Sequence, residues 1–323
     1  MSDDNQKGQG LRRIGAFLPA LAKSLKPVTK LQRRLLSMPA EGEGEESAIL
    51  FQHSVLCQTS LPYRDPGDDI RLWERRNGIT LLEIQAGRAY DKTVDDFVNV
   101  GLPHGPKPRL VLFHLNAEAI RTQSPVLELE DSLTAFVRRT LGLDPGGRNI
   151  RTVKDQLTRL AAADFRFGMN RDGRSVTIKS TVIDGFELWT PKNDKQRMLW
   201  PTTVQFSPRY FESLMEHAVP LNEDAVRRIA HSAMALDIYT WLAQRLHRID
   251  PKQAAFVPWV SLKQQFGDGY SHMNNFKRVF RHTLRQVRTV YQDAKFSDDD
   301  KGMYLQNSRP PVARRLLSVT PGK

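Results

Sequence analysis

The chain has 323 residues, of which 40% are hydrophobic and 26% are charged, and it carries a formal net charge of +12. This length allows two domains, and the composition is that of a soluble protein with enough apolar side chains for one or two cores. No apolar run approaches the roughly 18 residues that span a bilayer, and the first residues show no secretory signal pattern. The one cysteine, Cys57, excludes an intramolecular disulfide and a multi-cysteine zinc site.

A reducing cytoplasm is therefore the expected compartment. The positive excess favours a polyanionic partner, with nucleic acid first and an anionic membrane surface second. The alternative is that the charge only aids solubility. The distribution of the positive charge along the chain decides between a polyanionic partner and a role in solubility alone. Cations are concentrated on one helix, described below, which favours nucleic acid over a membrane.

Residues 1–46 are predicted to form a flexible tail with a basic middle part and an acidic end at Glu41–Glu46. The basic part has an amphipathic pattern, but Pro19 and Pro27 would interrupt a continuous helix. Such a segment can lie on a membrane, dock into a partner or contact phosphates. A solvated tail is the favoured interpretation. Residues 313–323 are predicted to form a second basic tail.

Residues 47–202 are predicted to form a first domain, in which β-rich runs precede three helices and a β-hairpin. In the hairpin, Phe165, Phe167 and Met169 alternate with polar residues, and a turn is expected at Asn170–Gly173. Apolar runs and their periodicity place the other elements as follows: strands in Ala48–Leu61 and Gly78–Gln85, and helices at Pro108–Thr122, in Leu129–Leu143 and at Asn149–Ala163.

Residues 203–312 are predicted to form a second domain in which three helices and a hairpin recur. The predicted elements are a strand and helix in Thr203–His217, a long helix at Glu223–Arg248, a short helix at Ser261–Gly267 capped by Ser261, a helix at Asn274–Gln292 and a hairpin in Ala294–Gln306. Helix-turn-helix followed by a hairpin is the winged-helix plan. The predicted fold is therefore α+β, with two tandem winged-helix domains.

The helix at Asn274–Gln292 has an apolar side and a basic side, with no acid before Asp293. The apolar positions follow helical spacing and are Phe276, Val279, Phe280, Thr283, Leu284, Val287, Val290 and Tyr291. The basic positions are Lys277, Arg278, Arg281, Arg285 and Arg288, with His282 beside them. Like charges one turn apart destabilise an isolated helix, and an anionic partner would relieve that repulsion. This pattern predicts a helix that enters the major groove of DNA.

Short polar residues at the start of this helix are placed where a recognition helix presents base-reading side chains: Ser271, His272, Asn274 and Asn275. Asn and Arg suit bidentate contacts with adenine and guanine edges. In the hairpin that follows, Lys295 and Lys301 could reach phosphates, whereas the acidic tip Asp298–Asp300 would repel them.

The corresponding helix of the first domain, at Asn149–Ala163, is less one-sided, because it carries the acid Asp155 among its cations. It could contact phosphates weakly, or its domain could serve for dimerisation or for binding a partner, and both interpretations remain open. Its candidate DNA-binding residues are Arg148, Asn149, Arg151, Thr152 and Lys154, with Arg159 further along.

No catalytic, cofactor or metal site is predicted. The eight histidines show no HxH or HExxH spacing, and there is no GxxxxGK[ST] phosphate loop. An initiator that nicks DNA usually has a pair of metal-binding histidines and a tyrosine nucleophile, and the sequence shows no such cluster. Nothing nearby would activate Cys57, which is interpreted as a small core residue.

Three stretches resemble the plasmid-encoded RepA family of bacterial replication initiators: Gly101–Pro125, Ala235–Ile249 and Trp259–Leu284. The resemblance extends over roughly residues 75 to 310. It implies an initiator that binds repeated double-stranded sites at a plasmid origin through two winged-helix domains. It also implies recruitment of host DnaA and replicative helicase. Related initiators bind origins as monomers and repress their own genes as dimers, so a homodimer is an expected form.

Two other functions remain as alternatives. One is a winged-helix transcriptional regulator or copy-control repressor, although one module usually suffices for a simple repressor. The other is a nucleic-acid-processing enzyme that uses DNA binding only for targeting, which the lack of metal-ligand spacing disfavours.

Overall fold

The structure is a computed structural model that describes residues 48–91, 94–130, 132–171, 174–188 and 201–312. Helices and antiparallel strands are mixed along these residues, so the predicted α+β class is confirmed. Both predicted tails, residues 1–46 and 313–323, lie outside the described residues, as do residues 172–173 of the predicted turn.

The first part of the chain contains ten strands and four helices among the described residues. They are β1 (Ile49–His53), α1 (Ser54–Gln58), β2 (Leu72–Asn77), β3 (Thr80–Gln85), β4 (Arg88–Asp91), β5 (Asp96–Asn99), α2 (Pro106–Thr122), β6 (Val126–Glu128), α3 (Leu133–Ala135, continued by a π-helical turn at Phe136–Thr140), α4 (Gly147–Ala162), β7 (Asp164–Arg171), β8 (Arg174–Thr181), β9 (Ile183–Leu188) and β10 (Pro201–Phe206).

The second part contributes the remaining described elements. They are α5 (Pro208–His217), β11 (Ala218–Asn222), α6 (Glu223–Ile229), α7 (Ala233–Arg245, continued by a 3₁₀ turn at Leu246–Arg248), β12 (Ala255–Pro258), α8 (Trp259–Phe266), α9 (Met273–Val290), β13 (Phe296–Asp298) and β14 (Gly302–Leu305).

A three-stranded sheet with the same strand order occurs once in each part. In the first, β10 lies between β6 and β9, so that Val204 pairs with Leu127 and with Phe186. In the second, β14 lies between β12 and β13, so that Met303 pairs with Val257 and with Asp298. Both sheets accompany helices in the same chain order, α2, α3 and α4 in one and α7, α8 and α9 in the other. We call these two arrangements the first unit and the second unit.

The hairpin that was predicted to close the first unit belongs to another sheet. The strands β7 and β8 form as expected, but β7 also pairs with β3, which gives a four-stranded sheet ordered β2-β3-β7-β8. The strands that correspond to the hairpin after α9 are instead β9 and β10. The predicted domain boundary between residues 202 and 203 falls inside β10, whose partners β6 and β9 belong to the first unit.

The predicted strand at Ala48–Leu61 is wrong after His53. The chain turns there into α1, with the Val55 amide donating to His53 Nδ1 at 3.2 Å. Val55, Leu56 and Cys57 are buried, and α1 packs against α7. An apolar run of this length does not distinguish a buried strand from a short buried helix.

The predicted long helix at Glu223–Arg248 is two helices. α6 ends at Ile229, and Ser232 caps α7 by accepting a hydrogen bond from the Ala235 amide at 3.2 Å. The predicted cap at Ser261 is also wrong, because α8 already begins at Trp259 and has Pro258 as its N-cap residue. The Trp259 amide donates instead to the Lys301 carbonyl at 3.1 Å, which joins α8 to the hairpin.

A buried ion pair joins the two units. Arg109 of α2 donates to both carboxylate oxygens of Asp237 on α7, at 2.7 Å from Nε and 2.8 Å from Nη2. Arg109 also donates to the carbonyls of Gly105 and Leu61 at 2.6 and 2.7 Å. Because the guanidinium has several partners, this buried charge is satisfied on every side, and the pair fixes α2 against α7.

Candidate nucleic-acid interface

The apolar side of α9 packs as predicted. Phe276, Phe280, Thr283, Leu284 and Val287 are buried, and Val279 and Val290 are half-buried. Aromatic rings surround this seam: Phe280 contacts Phe266, with ring centroids 5.5 Å apart, and the edge of Trp259, with centroids 5.8 Å apart. This packing fixes the rotation of α9, so the opposite side of the helix faces solvent.

Two of the predicted DNA-binding cations lie on the flank of α9 that faces the hairpin β13–β14. Lys277 Nζ lies 5.3 Å and the Arg281 guanidinium carbon 5.0 Å from the centre of the Trp259 ring. Lys277 Nζ donates to the Asp300 carbonyl at 2.9 Å, and Arg281 Nε donates to Asp298 Oδ2 at 2.7 Å. The ring and the hairpin therefore hold both cations at the edge of the helix, half-buried.

The acidic tip of the hairpin has structural contacts that the sequence did not reveal. Asp298 pairs with Arg281, and Asp299 Oδ1 accepts from the amides of Lys301 and Gly302 at 2.8 and 2.9 Å. These amide hydrogen bonds lower the pKa of Asp299. The Asp299 carbonyl accepts from Trp259 Nε1 at 2.8 Å. The tip closes the turn and anchors the flank of α9.

The outermost face of α9 carries the remaining candidates of the helix body. Asn274, Arg278, His282 and Arg285 follow one another at intervals of three or four residues and are exposed. Arg278 donates to Asn275 Oδ1 at 2.9 Å, whereas the side chains of Asn274 and Arg285 have no hydrogen-bond or ion-pair partner within the described ranges. This face can present guanidinium and amide groups outward together.

The start of α9 is held by contacts from two directions. Lys263 Nζ of α8 donates to the Ser271 carbonyl at 3.2 Å, and Asp268 lies 3.1 Å from Arg75 Nη2 of β2. Gly269 between them has φ of +77°, a conformation that favours glycine. The side chains of Ser271 and His272 are exposed, and His272 makes no capping hydrogen bond. The turn is therefore fixed while its polar side chains face solvent.

Three further cations lie near the hairpin and not on the outer face of α9. The Arg288 guanidinium carbon lies 5.6 Å from the centre of the Phe296 ring on β13. Lys295 is exposed, and its amide donates to Ser308 Oγ at 3.0 Å. Lys295 thus remains available to an anion beside the hairpin, and the exposed Lys301 lies at the tip next to the three aspartates.

A groove lies on the flank of α9 opposite the hairpin. Its cavity has a volume of about 350 Å³ and runs between α6 and α9. Arg228 and His231 line it from the α6 side, and His282 and Arg285 line it from α9. Arg228 and His231 were not among the predicted residues. The sequence predicted one long helix at Glu223–Arg248 and so did not show the turn after α6 that brings them beside α9.

The predicted residues of α4 are arranged differently. Arg148 and Arg151 are exposed, but Asp155 shares their face and pairs with Arg159 at 3.0 Å. Asn149 Nδ2 donates to the Asp144 carbonyl at 2.8 Å, and Thr152 Oγ1 donates to the Arg148 carbonyl at 2.9 Å. Lys154 is half-buried. Two of the candidate DNA-binding side chains, Asn149 and Thr152, are therefore engaged with the local backbone.

The described residues contain no helix long and apolar enough to cross a membrane. Cys57 is buried in the core as predicted, and burial raises the pKa of its thiol.

Comparison with known proteins finds a matching family model and distant solved structures. The family model for the plasmid-encoded RepA protein matches residues 102–260, a range that includes α4 and ends before α9. No curated protein sequence matches the chain. A crystal structure of domains 2 and 3 of RctB in selenomethionine form is 10% identical, with 79% of this chain and 99% of that one covered at a TM-score of 0.48. A second crystal structure of RctB domains 2–3 is 10% identical, with 78% and 96% covered at a TM-score of 0.48.

Proposed function

We propose that this protein starts plasmid replication by binding repeated double-stranded sites at the origin, because residues 102–260 match the family model for the plasmid-encoded RepA protein. The observation that carries the DNA-binding part is the outer face of α9, where Asn274, Arg278 and Arg285 are exposed and no acid occurs. A carboxylate on that face would meet phosphate. Bidentate Arg and Asn contacts with guanine and adenine suit base reading in the major groove.

We further propose that both units are winged helices. The repeated strand order, with the last strand in the middle of each sheet, supports this assignment. In the second unit α8 and α9 form the helix-turn-helix, and β13–β14 is the wing. In the first unit α3 and α4 take these places and β9–β10 is the wing. The hairpin β7–β8 is then an insertion that joins the unit to β2 and β3.

The proposed mechanism separates affinity from specificity. Cations that neutralise phosphates supply most of the binding energy, and this part weakens steeply as salt rises. Side chains on the outer face of α9 select the sequence, and the first unit adds backbone contacts through Arg148 and Arg151. Binding of several copies beside an AT-rich segment would strain that segment and favour its opening.

The remaining parts of the proposal concern partners. The protein acts in the cytoplasm without catalysis of its own and recruits host DnaA and helicase, and it exists as a monomer or a homodimer according to its task. Assays of nicking on supercoiled origin DNA, with Mg²⁺ present, test the non-catalytic part. Strand cleavage by the purified protein would contradict it.

Selection of bound duplexes from fragments of the plasmid, followed by footprinting, tests the function directly. Direct repeats at helical-turn spacing beside an AT-rich stretch are the expected result. A lone palindrome at the promoter of the coding region would identify a transcriptional repressor instead and would contradict initiation.

A further inference from the structure

The two flanks of α9 differ in charge. On the hairpin flank, Lys277 and Arg281 are held by Trp259 and by the tip Asp298–Asp300. On the opposite flank, the groove between α6 and α9 has cations on both walls. A helix inserted into the major groove has a phosphate backbone along each flank. The two backbones therefore meet different surfaces.

The groove contains side chains that suit an anion. Its walls carry Arg228, His231, His282 and Arg285, and Ile229 and Val290 supply apolar surface. Arg228 and Arg285 are exposed and have no ion-pair partner among the residues that the structure describes. Cations on facing walls repel one another, and an anion between them relieves this repulsion. Guanidinium groups bind phosphate oxygens through two parallel hydrogen bonds.

Neighbouring arginines on α6 have different surroundings. Arg227 Nε donates to Glu223 Oε1 at 2.9 Å, one turn earlier in the same helix, and its guanidinium lies over Gly142 of the first unit. Arg228 points to the other side and lines the groove. Glu223 thus pairs with Arg227, the arginine that lies against the first unit. The second acid of α6, Asp224, precedes Arg228 by one turn, but no ion pair joins the two among the described residues, so Arg228 is left for another anion.

We propose that the groove between α6 and α9 holds a phosphate of the DNA backbone, with Arg228 and Arg285 as its main ligands and His231 and His282 beside it. This inference rests on the proposed function, because it presumes that α9 lies in the major groove. It assigns the backbone contact beside α9 to the flank opposite the wing. Arg285 joins the two surfaces, since it belongs to the outer face and to the groove.

The test compares Arg228→Gln with Arg227→Gln, which removes the same charge from the adjacent position. Arg228→Gln is expected to weaken binding about three- to tenfold at physiological salt, on origin repeats and on unrelated DNA alike, and to reduce the salt slope by about one unit. Arg227→Gln should leave the slope nearly unchanged. Thermal unfolding of both variants identifies any loss of folding.

A scan with single neutral methylphosphonates along the duplex then locates the contact. One position should weaken binding of the native protein and have no further effect on Arg228→Gln. Equal salt slopes for the two variants, or no such position, would overturn the proposal. NMR shifts of the His231 and His282 ring protons with inorganic phosphate alone, together with unchanged DNA binding by Arg228→Gln, would overturn it too and assign the groove to a free anion.

The proposed function can fail separately. If the native protein does not prefer origin repeats, initiation by origin binding is contradicted, while the comparison of the two arginine variants on unrelated DNA still tests the groove. If origin repeats are preferred and the two variants behave alike, only the groove proposal fails.

Discussion

The helices α4 and α9 occupy the same place in two similar units, yet their outer faces differ. On α9 the exposed positions carry Asn274, Arg278 and Arg285, and Asp298, the acid that pairs with a cation of this helix, belongs to the hairpin. On α4 an acid of the helix itself, Asp155, lies beside the cations and pairs with Arg159. The two helices carry similar numbers of cations but differ in the position of their acids. We infer that the position of the acids distinguishes a face suited to base reading from a face suited to weak contact with the DNA backbone.

The polar side chains of the two helices differ in the same way. Asn149 and Thr152 of α4 donate to nearby carbonyls, which leaves fewer groups for a ligand. The side chain of Asn274 has no hydrogen-bond partner in the described parts of the chain and is exposed. We therefore expect sequence specificity from α9 and general affinity from both helices.

The largest expected effect concerns the buried ion pair between the two units. Arg109→Met leaves Asp237 buried without its partner, and we expect a loss of about 3–5 kcal/mol in the free energy of unfolding. Chemical denaturation with tryptophan fluorescence measures it. The matched control is Arg121→Met on the same helix, where an exposed pair with Glu118 is removed and a loss below about 1 kcal/mol is expected.

Replacement of both partners sharpens this prediction. Arg109→Met with Asp237→Leu removes the buried charge altogether and should recover much of the lost stability. An Arg109→Met variant that unfolds like the native protein would show that other contacts hold the two units together.

The next effect separates the two faces. Arg278→Ala on α9 should weaken binding to origin repeats by about 1–3 kcal/mol and binding to unrelated DNA much less, because a base contact is lost. Arg151→Ala on α4 should weaken both equally. Titrations on the two DNAs measure the ratio. Arg278→Lys is the control, since lysine retains a phosphate contact but loses bidentate base reading. If Arg278→Ala loses the same affinity for both DNAs, Arg278 contacts only the DNA backbone, which would contradict base reading by this residue.

A smaller effect concerns the acidic tip of the hairpin. Asp298→Asn releases Arg281 toward solvent, so affinity for any DNA should rise a few-fold and the salt slope should steepen by about one unit. The control is Asp300→Asn, which removes the same charge from the tip but leaves the Arg281 pair in place. Filter binding across a salt series measures both variants. Identical slopes would mean that Arg281 stays against Trp259 without its carboxylate.

The smallest effect concerns α4. Asp155→Asn makes its outer face more like that of α9, and affinity for unrelated DNA should rise by about a factor of two, with base preference unchanged. Competition between labelled duplexes measures both properties. A gain of base preference would show that α4 already reads sequence and that Asp155 only weakens it.

Features determined by local pattern were predictable. The helix α9, its buried seam and its basic side follow from apolar spacing, and the alternation around Phe165 predicts the hairpin β7–β8. The break between α6 and α7 at Ser232 was not predicted. Apolar positions continue at helical spacing across it, and a single hydroxyl caps α7.

Features determined by distant pairing were not predictable. The partners of β7 and β10 lie far away in sequence, so the pattern could show strands but not the sheets they join. The same limit applies to charges. Nothing local indicates that Asp298 pairs with Arg281, or that Trp259 lies beneath that guanidinium. The groove with Arg228 was missed for this reason also.

Base reading by the outer face of α9 is the central claim, and selection from a random duplex library tests it most directly. The native protein, Arg278→Ala with Asn274→Ala, and Arg151→Ala should be compared by sequencing the bound DNA. We predict that the α9 variant loses preference at a few adjacent positions of the repeat, while the α4 variant keeps the native consensus. An unchanged consensus for the α9 variant would contradict the claim.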